Sequence, residues 1–212
     1  MMQIFVAGGS GRVATELIKN LVADGNTVVA GARHEDNIIN LDGVRPVHMD
    51  LHADVDQIAE LMKGSDAVYF TAGSRGKDLL QTDAFGAVKT MQAAKKLGIE
   101  RYIMLSSIFA LQPEKWNLDG LNQIMDYNVA KYFADNYLVN QSDLKYTILQ
   151  PTNLTEEPAT GKISLDVSGV TSNPIPDVAK TLAEILKHDN TVGKVIMMRS
   201  GDMPIDDALS NI

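Results

Sequence analysis

The sequence predicts an α/β fold: a doubly wound parallel sheet in one domain over residues 1–212. Three observations predict it. Short apolar runs alternate with stretches of helical period. A glycine-rich turn separates the first run from the first such stretch. At 212 residues with 45% apolar content, the chain is long enough for one well-filled core and short for two.

Taken in order, QIFVA (3–7) is the first apolar run. Val13, Leu17, Ile18, Leu21 and Val22 then recur at helical spacing. TVVAGA (27–32) and VRPVH (44–48) follow as strands, then a helix near 56–62 and the strand AVYFT (67–71). A longer helix carries Ala84, Ala87, Val88, Met91 and Ala94 on one stripe and leads to RYIML (101–105). A helix over about 124–139 precedes KYTIL (145–149), and a last helix near 178–187 precedes KVIMM (194–198). Strands that alternate with helices call for a parallel sheet covered on both faces. The stretches 73–78, 110–120 and 152–176 read as irregular, the third including a small strand, GKISL. Residues 151–176 or so form a small substrate-side region of the same domain. No internal repeat or linker stands out.

Composition narrows the function. With 19 basic and 27 acidic residues the net charge is −8, which opposes a nucleic-acid partner. Phosphates of a small ligand must then be met locally, by backbone N–H groups and a few arginines. There are no cysteines, so a disulfide framework, a thiolate nucleophile and a Cys-based zinc site are excluded. His34, His48, His52 and His188 show no tight metal spacing, and no metal is expected. No apolar run reaches the roughly 20 residues of a membrane span, and the N-terminus lacks a secretory pattern. The expectation is a cytoplasmic protein with a small-molecule substrate and no membrane or nucleic-acid partner.

The glycine turn carries the chemistry. In QIFVAGGSGRVATELIKNL it reads G-x-x-G-x-x-A, with Gly8, Gly9, Ser10, Gly11, Arg12, Val13 and Ala14 between strand and helix. Gly8 makes the tight turn, Gly11 leaves room for a pyrophosphate, and Ala14 lets the helix approach the sheet. The free N–H groups of the helix start, with the helix dipole behind them, receive the negative charge. Strand, glycine loop, helix and second strand in this order predict a Rossmann dinucleotide site. An acid at the end of the second strand would favour NAD. This chain has Gly31-Ala32-Arg33-His34 there. Arg33, with Arg12 as a second candidate, would grip a 2′-phosphate, so the expected cofactor is NADP(H).

Several segments together resemble the short-chain dehydrogenase/reductase superfamily, in particular its compact atypical members of the epimerase/dehydratase-like kind. They are AGGSGRVA (7–14), GAR (31–33), Asp50-Leu51, DAFGAVKTMQAAKKLGIERYIMLSS (83–107), YNVAK (127–131) and YTILQP (146–151). The resemblance covers nearly the whole chain. It implies Tyr127 as acid/base, Lys131 as its electrostatic partner and a contact of the nicotinamide ribose, and Ser106 or Ser107 as the group that orients the substrate oxygen. It implies an adenine-edge contact at Asp50-Leu51. Ala72 and Gly73, after the fourth strand, and Pro151, with Thr152 and Asn153 beyond it, would lie beside the cofactor. The family's supporting Asn falls at Asp83, a carboxylate in place of an amide.

The residue types suit that chemistry. A Tyr and a Lys four apart share a helix face. Such a pair arises by chance about 0.4 times in a chain of this composition, so its place after a strand ending in Ser-Ser carries more weight than the motif. A phenol with a reference pKa near 10 donates poorly at neutral pH, and a nearby ammonium favours its ionised form. The turn 73–77 reads equally as a polar lid or a solvated turn, and Trp116 as a pocket wall or a loop anchor. The leading expectation is an NADP(H)-dependent oxidoreductase of a small carbonyl or other unsaturated compound. A non-catalytic NADP-binding redox sensor, an NAD(P)-dependent epimerase or dehydratase, and an assembly module that keeps the fold for structure alone are the alternatives. Helices of this fold often form homodimer faces, but the sequence marks none.

Overall fold

The computed structural model describes residues 1–212. Seven parallel strands form the centre of one sheet: β1 (Gln3–Ala7), β2 (Thr27–Ala32), β3 (Val44–His48), β4 (Ala67–Phe70), β5 (Arg101–Leu105), β6 (Lys145–Pro151) and β10 (Lys194–Ser200). Two short strands, β8 (Lys162–Ser164) and β11 (Met203–Pro204), extend it beyond β10 through antiparallel pairings. The full order is β11-β8-β10-β6-β5-β4-β1-β2-β3. The order reverses between β1 and β4, which opens a crevice at the carboxyl ends of those strands.

The central strands β1, β2 and β4 are apolar on both faces because both faces are covered. In β1, Ile4 and Val6 point one way and Phe5 and Ala7 the other, all fully buried. Ile4 and Val6 meet α1 (Arg12–Ala23), α5 (Ile175–Ile185) and α6 (Ile205–Ser210) in a core that includes Leu17, Ile18, Leu21, Val178 and Leu182. Phe5 and Ala7 meet α2 (Val55–Met62), α3 (Ala87–Leu97) and α4 (Met125–Gln141) in a second core with Ile58, Met62, Met91 and Leu138. Fixed helix ends set these layers. Asp54 caps α2 in a reciprocal box with Gln57, and Gly98, at φ +70°, stops α3.

The expected α/β class, parallel sheet and strand sequence stand as read. Helix and strand ends move by a few residues, as for α4 and β6. Three features differ. The stripe from Ala84 to Ala94 is one α-helix only from Ala87; residues Leu79–Gly86 wind as a wider π-helix. The stretch 152–176 holds β7 (Asn153–Thr155), paired in parallel with β9 (Ser172–Pro174), besides β8, which is the core of GKISL. A short β11 and α6 follow β10. Elements of two or three residues show no period, which is why the sequence hides them.

Both outer strands contain a proline: Pro46 in β3 and Pro204 in β11. A residue without an N–H fits an edge, where one side of the strand has no partner. No helix is long and apolar enough to cross a membrane.

Candidate functional site

Because the central strands run in parallel, the residues following each of them come to one edge. The glycine loop follows β1, Arg33 follows β2, and Asp50 and Leu51 follow β3. Ala72 and Gly73 follow β4, Ser106 and Ser107 follow β5, and Pro151 ends β6.

The glycine loop is built for close approach. Gly8 and Gly9 both donate to the Gly31 carbonyl at 2.9 Å, and Gly11 donates to the Gly8 carbonyl at 3.0 Å. Gly8 stands at φ +88°, and a Cβ on it would lie 2.6 Å from the Ala72 backbone, so β1 and β4 leave the sheet in contact. Gly11 is the N-cap of α1 and supplies no side chain to the free N–H groups of the first turn. Apart from the Gly8 carbonyl at 3.2 Å, a Cβ on Gly11 would meet only Ala14 within 4 Å, at 3.9 Å. An uncapped helix start beside open space is what a pyrophosphate needs, so the residues present fit a dinucleotide.

Arg33 is exposed at the end of β2 and lies close to Asp78. The carboxyl of Asp78 is held below the usual range by hydrogen bonds from His52 and Thr82, with Arg33 adding a smaller pull. Arg12 is paired with Glu156, which lies just after β7, so its guanidinium already has a carboxylate partner across the loop. Asp50 is exposed and its carboxylate accepts the His52 N–H. Leu51 is buried and packs close to Gly86.

A cleft of about 240 Å³ opens at the ends of β4, β5 and β6. Its walls are Thr71, Ala72, Gly73, Leu105, Ser106, Ser107, Pro151, Thr152, Asn153 and Leu154, with Ile124, Tyr127 and Lys131 from the start of α4. Tyr127 and Lys131 thus meet the strand-end serines in one cavity. The Lys131 ammonium lies 5.6 Å from the centre of the Tyr127 ring and 4.0 Å from Asp83 Oδ1.

The two serines separate. Ser106 is buried, and its hydroxyl donates to both oxygens of Asp135, at 2.7 and 2.8 Å. Ser107 is only half-buried and faces the cleft with its hydroxyl uncommitted. Trp116 does not line the cleft. Its indole N–H donates to the Phe109 carbonyl at 3.0 Å and holds that residue at φ +56°, so Trp116 anchors the loop after β5. In the 73–77 turn, the Ser74 N–H is tied to Asp83 Oδ2 at 2.9 Å.

Sequence reasoning missed Asp135 and Gln150. Asp135 is fully buried, and its carboxylate also accepts from Gln150 Nε2 at 2.8 Å. It ties α4 to the ends of β5 and β6. Burial pushes its carboxyl up to about 7, against the pull of Ser106, Gln150 and Lys131. The readable signal was the spacing 127, 131, 135, which continues one helix stripe inward. Away from the cleft, Glu184, His188 and Asp206 converge within 4.8 Å. Glu184 there is already paired with Lys180 and Lys187, whose charges oppose a cation.

Residues 8–189 match the family described as NAD(P)H-binding. The chain belongs to that family. An oxidoreductase, YlbE, from Lactococcus lactis is 44% identical, covers 100% of this chain and 96% of its own, and superposes with a TM-score of 0.96. A Bacillus halodurans protein, classed provisionally as an NAD-dependent epimerase/dehydratase, is 33% identical over 100% of both chains, with a TM-score of 0.88. An uncharacterised sugar epimerase of Bacillus subtilis, YhfK, is 36% identical over 100% of both chains. The resemblance to atypical short-chain dehydrogenases/reductases agrees with this membership.

Two outcomes follow for the site. Gly11→Val should abolish dinucleotide binding in calorimetry while the circular dichroism spectrum is kept, because its branched side chain fills the phosphate space; unchanged affinity would place the pyrophosphate elsewhere. Asp135 holds its proton more tightly folded than unfolded, since its folded value of about 7 exceeds the ordinary 3.8. Its contribution is complete below about pH 4 and declines as pH rises to about 7, by on the order of 3 kcal/mol. Urea denaturation from pH 5 to 8 should therefore show Asp135→Asn gaining on the native protein as pH rises. A difference that does not vary with pH would show that Asp135 does not titrate in this window.

Proposed function

We propose that the protein is an NADP(H)-dependent oxidoreductase that reduces a small carbonyl or similar unsaturated compound. The observation that carries this reading is the convergence of Tyr127, Lys131 and Ser107 in one cleft, beside strand ends continuous with the glycine loop. The bound dinucleotide would supply the hydride. Ser107 orients the substrate oxygen, Tyr127 gives it a proton, and Lys131 holds positive charge against the forming phenolate and reaches the ribose. The apolar side chains of Leu105, Ile124 and Leu154 line the same cleft.

NADP(H) is preferred over NAD(H) in this reading because Arg33, rather than an acid, follows β2. Arg12 is the weaker candidate, since a phosphate would have to displace Glu156 from it. The likeness to YhfK, an uncharacterised sugar epimerase, favours a second reading, epimerisation. The same Tyr127 would then remove and return a proton in one catalytic cycle. A 240 Å³ cleft whose walls carry one charged side chain, Lys131, offers little to grip a nucleotide sugar.

Steady-state oxidation of NADPH with a panel of aldehydes and ketones tests the reading. Tyr127→Phe should lower turnover by roughly 100-fold or more with dinucleotide affinity nearly intact, whereas Lys131→Ala should damage both. Full activity in Tyr127→Phe would remove Tyr127 as the acid. Dinucleotide binding with no turnover on the panel would favour the redox-sensor alternative. For the cofactor, a charge-assisted contact is worth about 1.5–3 kcal/mol, so NADPH should bind about 10- to 150-fold more tightly than NADH. Arg33→Ala should erase most of that ratio. Equal losses for both dinucleotides would mean that Arg33 serves the adenine and not the phosphate.

A further inference from the structure

Beyond β7 the chain crosses to β8 through residues 156–161, and this strap meets the glycine loop where Glu156 pairs with Arg12, the first residue of α1. Both ends of the strap are fixed. Thr155 stands opposite Pro174 in the parallel ladder of β7 with β9. At the far end the buried carboxylate of Asp177, on α5, accepts the backbone N–H groups of Thr160 and Gly161 at 2.9 to 3.1 Å and the Thr160 hydroxyl at 2.7 Å. Residues 156–159 between these ends are irregular and exposed. Glu157 accepts from the neighbouring Thr155 hydroxyl at 3.2 Å, so the one ion pair that leaves this stretch is the pair of Glu156 with Arg12.

The start of α1 has no capping side chain and no acidic residue in its first turn. The positive end of the helix dipole and the Arg12 guanidinium therefore take their negative charge from elsewhere, from a carboxylate 144 residues further along the chain. A phosphate is recognised by the same two features, a helix start and an arginine fork. Glu156 thus holds a donor that a phosphate would use. The exchange favours phosphate. The pair is exposed, 54% for the Arg12 side chain and 70% for that of Glu156, and an ion pair so open to water contributes little. A phosphate brings more acceptor oxygens to the fork and also meets the free N–H groups of the helix. A carboxylate left on the same fork would repel it.

We propose that Glu156 is an internal competitor of the dinucleotide: its carboxylate and a cofactor phosphate are alternative partners of the Arg12 guanidinium, so that binding detaches the strap from the glycine loop. This rests on the reading that the dinucleotide lies at Gly8–Ala14. Glu156 then lowers the affinity for the cofactor, and its return to Arg12 assists release.

Calorimetric dissociation constants for NADPH and NADH test this in the native protein, Glu156→Gln, Arg12→Gln and the double variant. Both side chains are exposed, so the fold should be kept, which circular dichroism checks. Glu156→Gln should bind about three- to fivefold more tightly, and that gain should vanish when Arg12 is replaced as well. A gain for both dinucleotides assigns Arg12 to the pyrophosphate, and a gain confined to NADPH assigns it to the 2′-phosphate; either supports competition. Weaker binding in Glu156→Gln would mean that Glu156 orients Arg12 for the ligand. Unchanged binding would mean that the two do not compete. An equal gain in the Arg12→Gln background would mean that Glu156 acts only as a distant charge. Each of these three results overturns the proposal. Gly11→Val separates it from the reading beneath it. If Gly11→Val binds normally, the placement of the dinucleotide fails and the competition falls with it. If Gly11→Val loses the dinucleotide while Glu156→Gln binds as the native protein does, the placement stands and the competition alone fails.

Discussion

The contact between Gly8 and Ala72 is the constraint on which the site depends. β1 and β4 are neighbours at the point where the strand order reverses, and both run toward the same edge. For the glycine loop and the β4 loop to leave that edge without colliding, one backbone must pass within a Cβ's reach of the other. Gly8 permits that passage. Once it is made, the start of α1 is aimed at the crevice, and the strand ends that form the cleft floor lie beside it. The uncapped start of α1 and the cleft beside it are two results of one close approach.

A second layer of order lies beneath the cleft. Asp135 links α4 to Ser106 and Gln150, and Asp83 links the π-helix to Ser74 and Lys131. Neither carboxyl lines the cavity, yet each fixes groups that do. Two buried carboxyls thus brace the cleft from beneath, and their hydrogen bonds and ion pair join four elements at once.

The architecture was legible because its signals are long. Seven apolar runs alternating with helical stripes leave little freedom, and the glycine loop names its own partners in sequence order. Tyr127 and Lys131 were legible from the family resemblance and from their place after a strand ending in Ser-Ser, because a four-residue spacing alone is weak. What stayed hidden depends on short or local geometry. β7, β9 and β11 are too brief to show a period. The π-helix keeps the apolar character of an α-helical stripe, so Leu79–Gly86 gave no sign of its wider turn. The choice between Ser106 and Ser107 turned on Asp135, which lies 29 residues further along the chain. Arg12 looked free because Glu156, its partner, is 144 residues away. Adjacent identical residues and distant ion pairs are settled only when the chain has folded.

The prolines at the two sheet borders bear on how copies of this protein can meet. A strand joins another sheet by presenting a continuous row of N–H and C=O groups, and a wide sheet of this kind offers two such rows. Pro46 interrupts one row, and Pro204 interrupts the other within a strand of two residues. Continuing the sheet from one molecule into the next would leave gaps in the ladder on either side. Assembly by side-to-side strand addition, including runaway stacking during folding, is thereby discouraged, and the helical layers are left as the surfaces on which self-association can proceed without breaking the hydrogen-bond pattern.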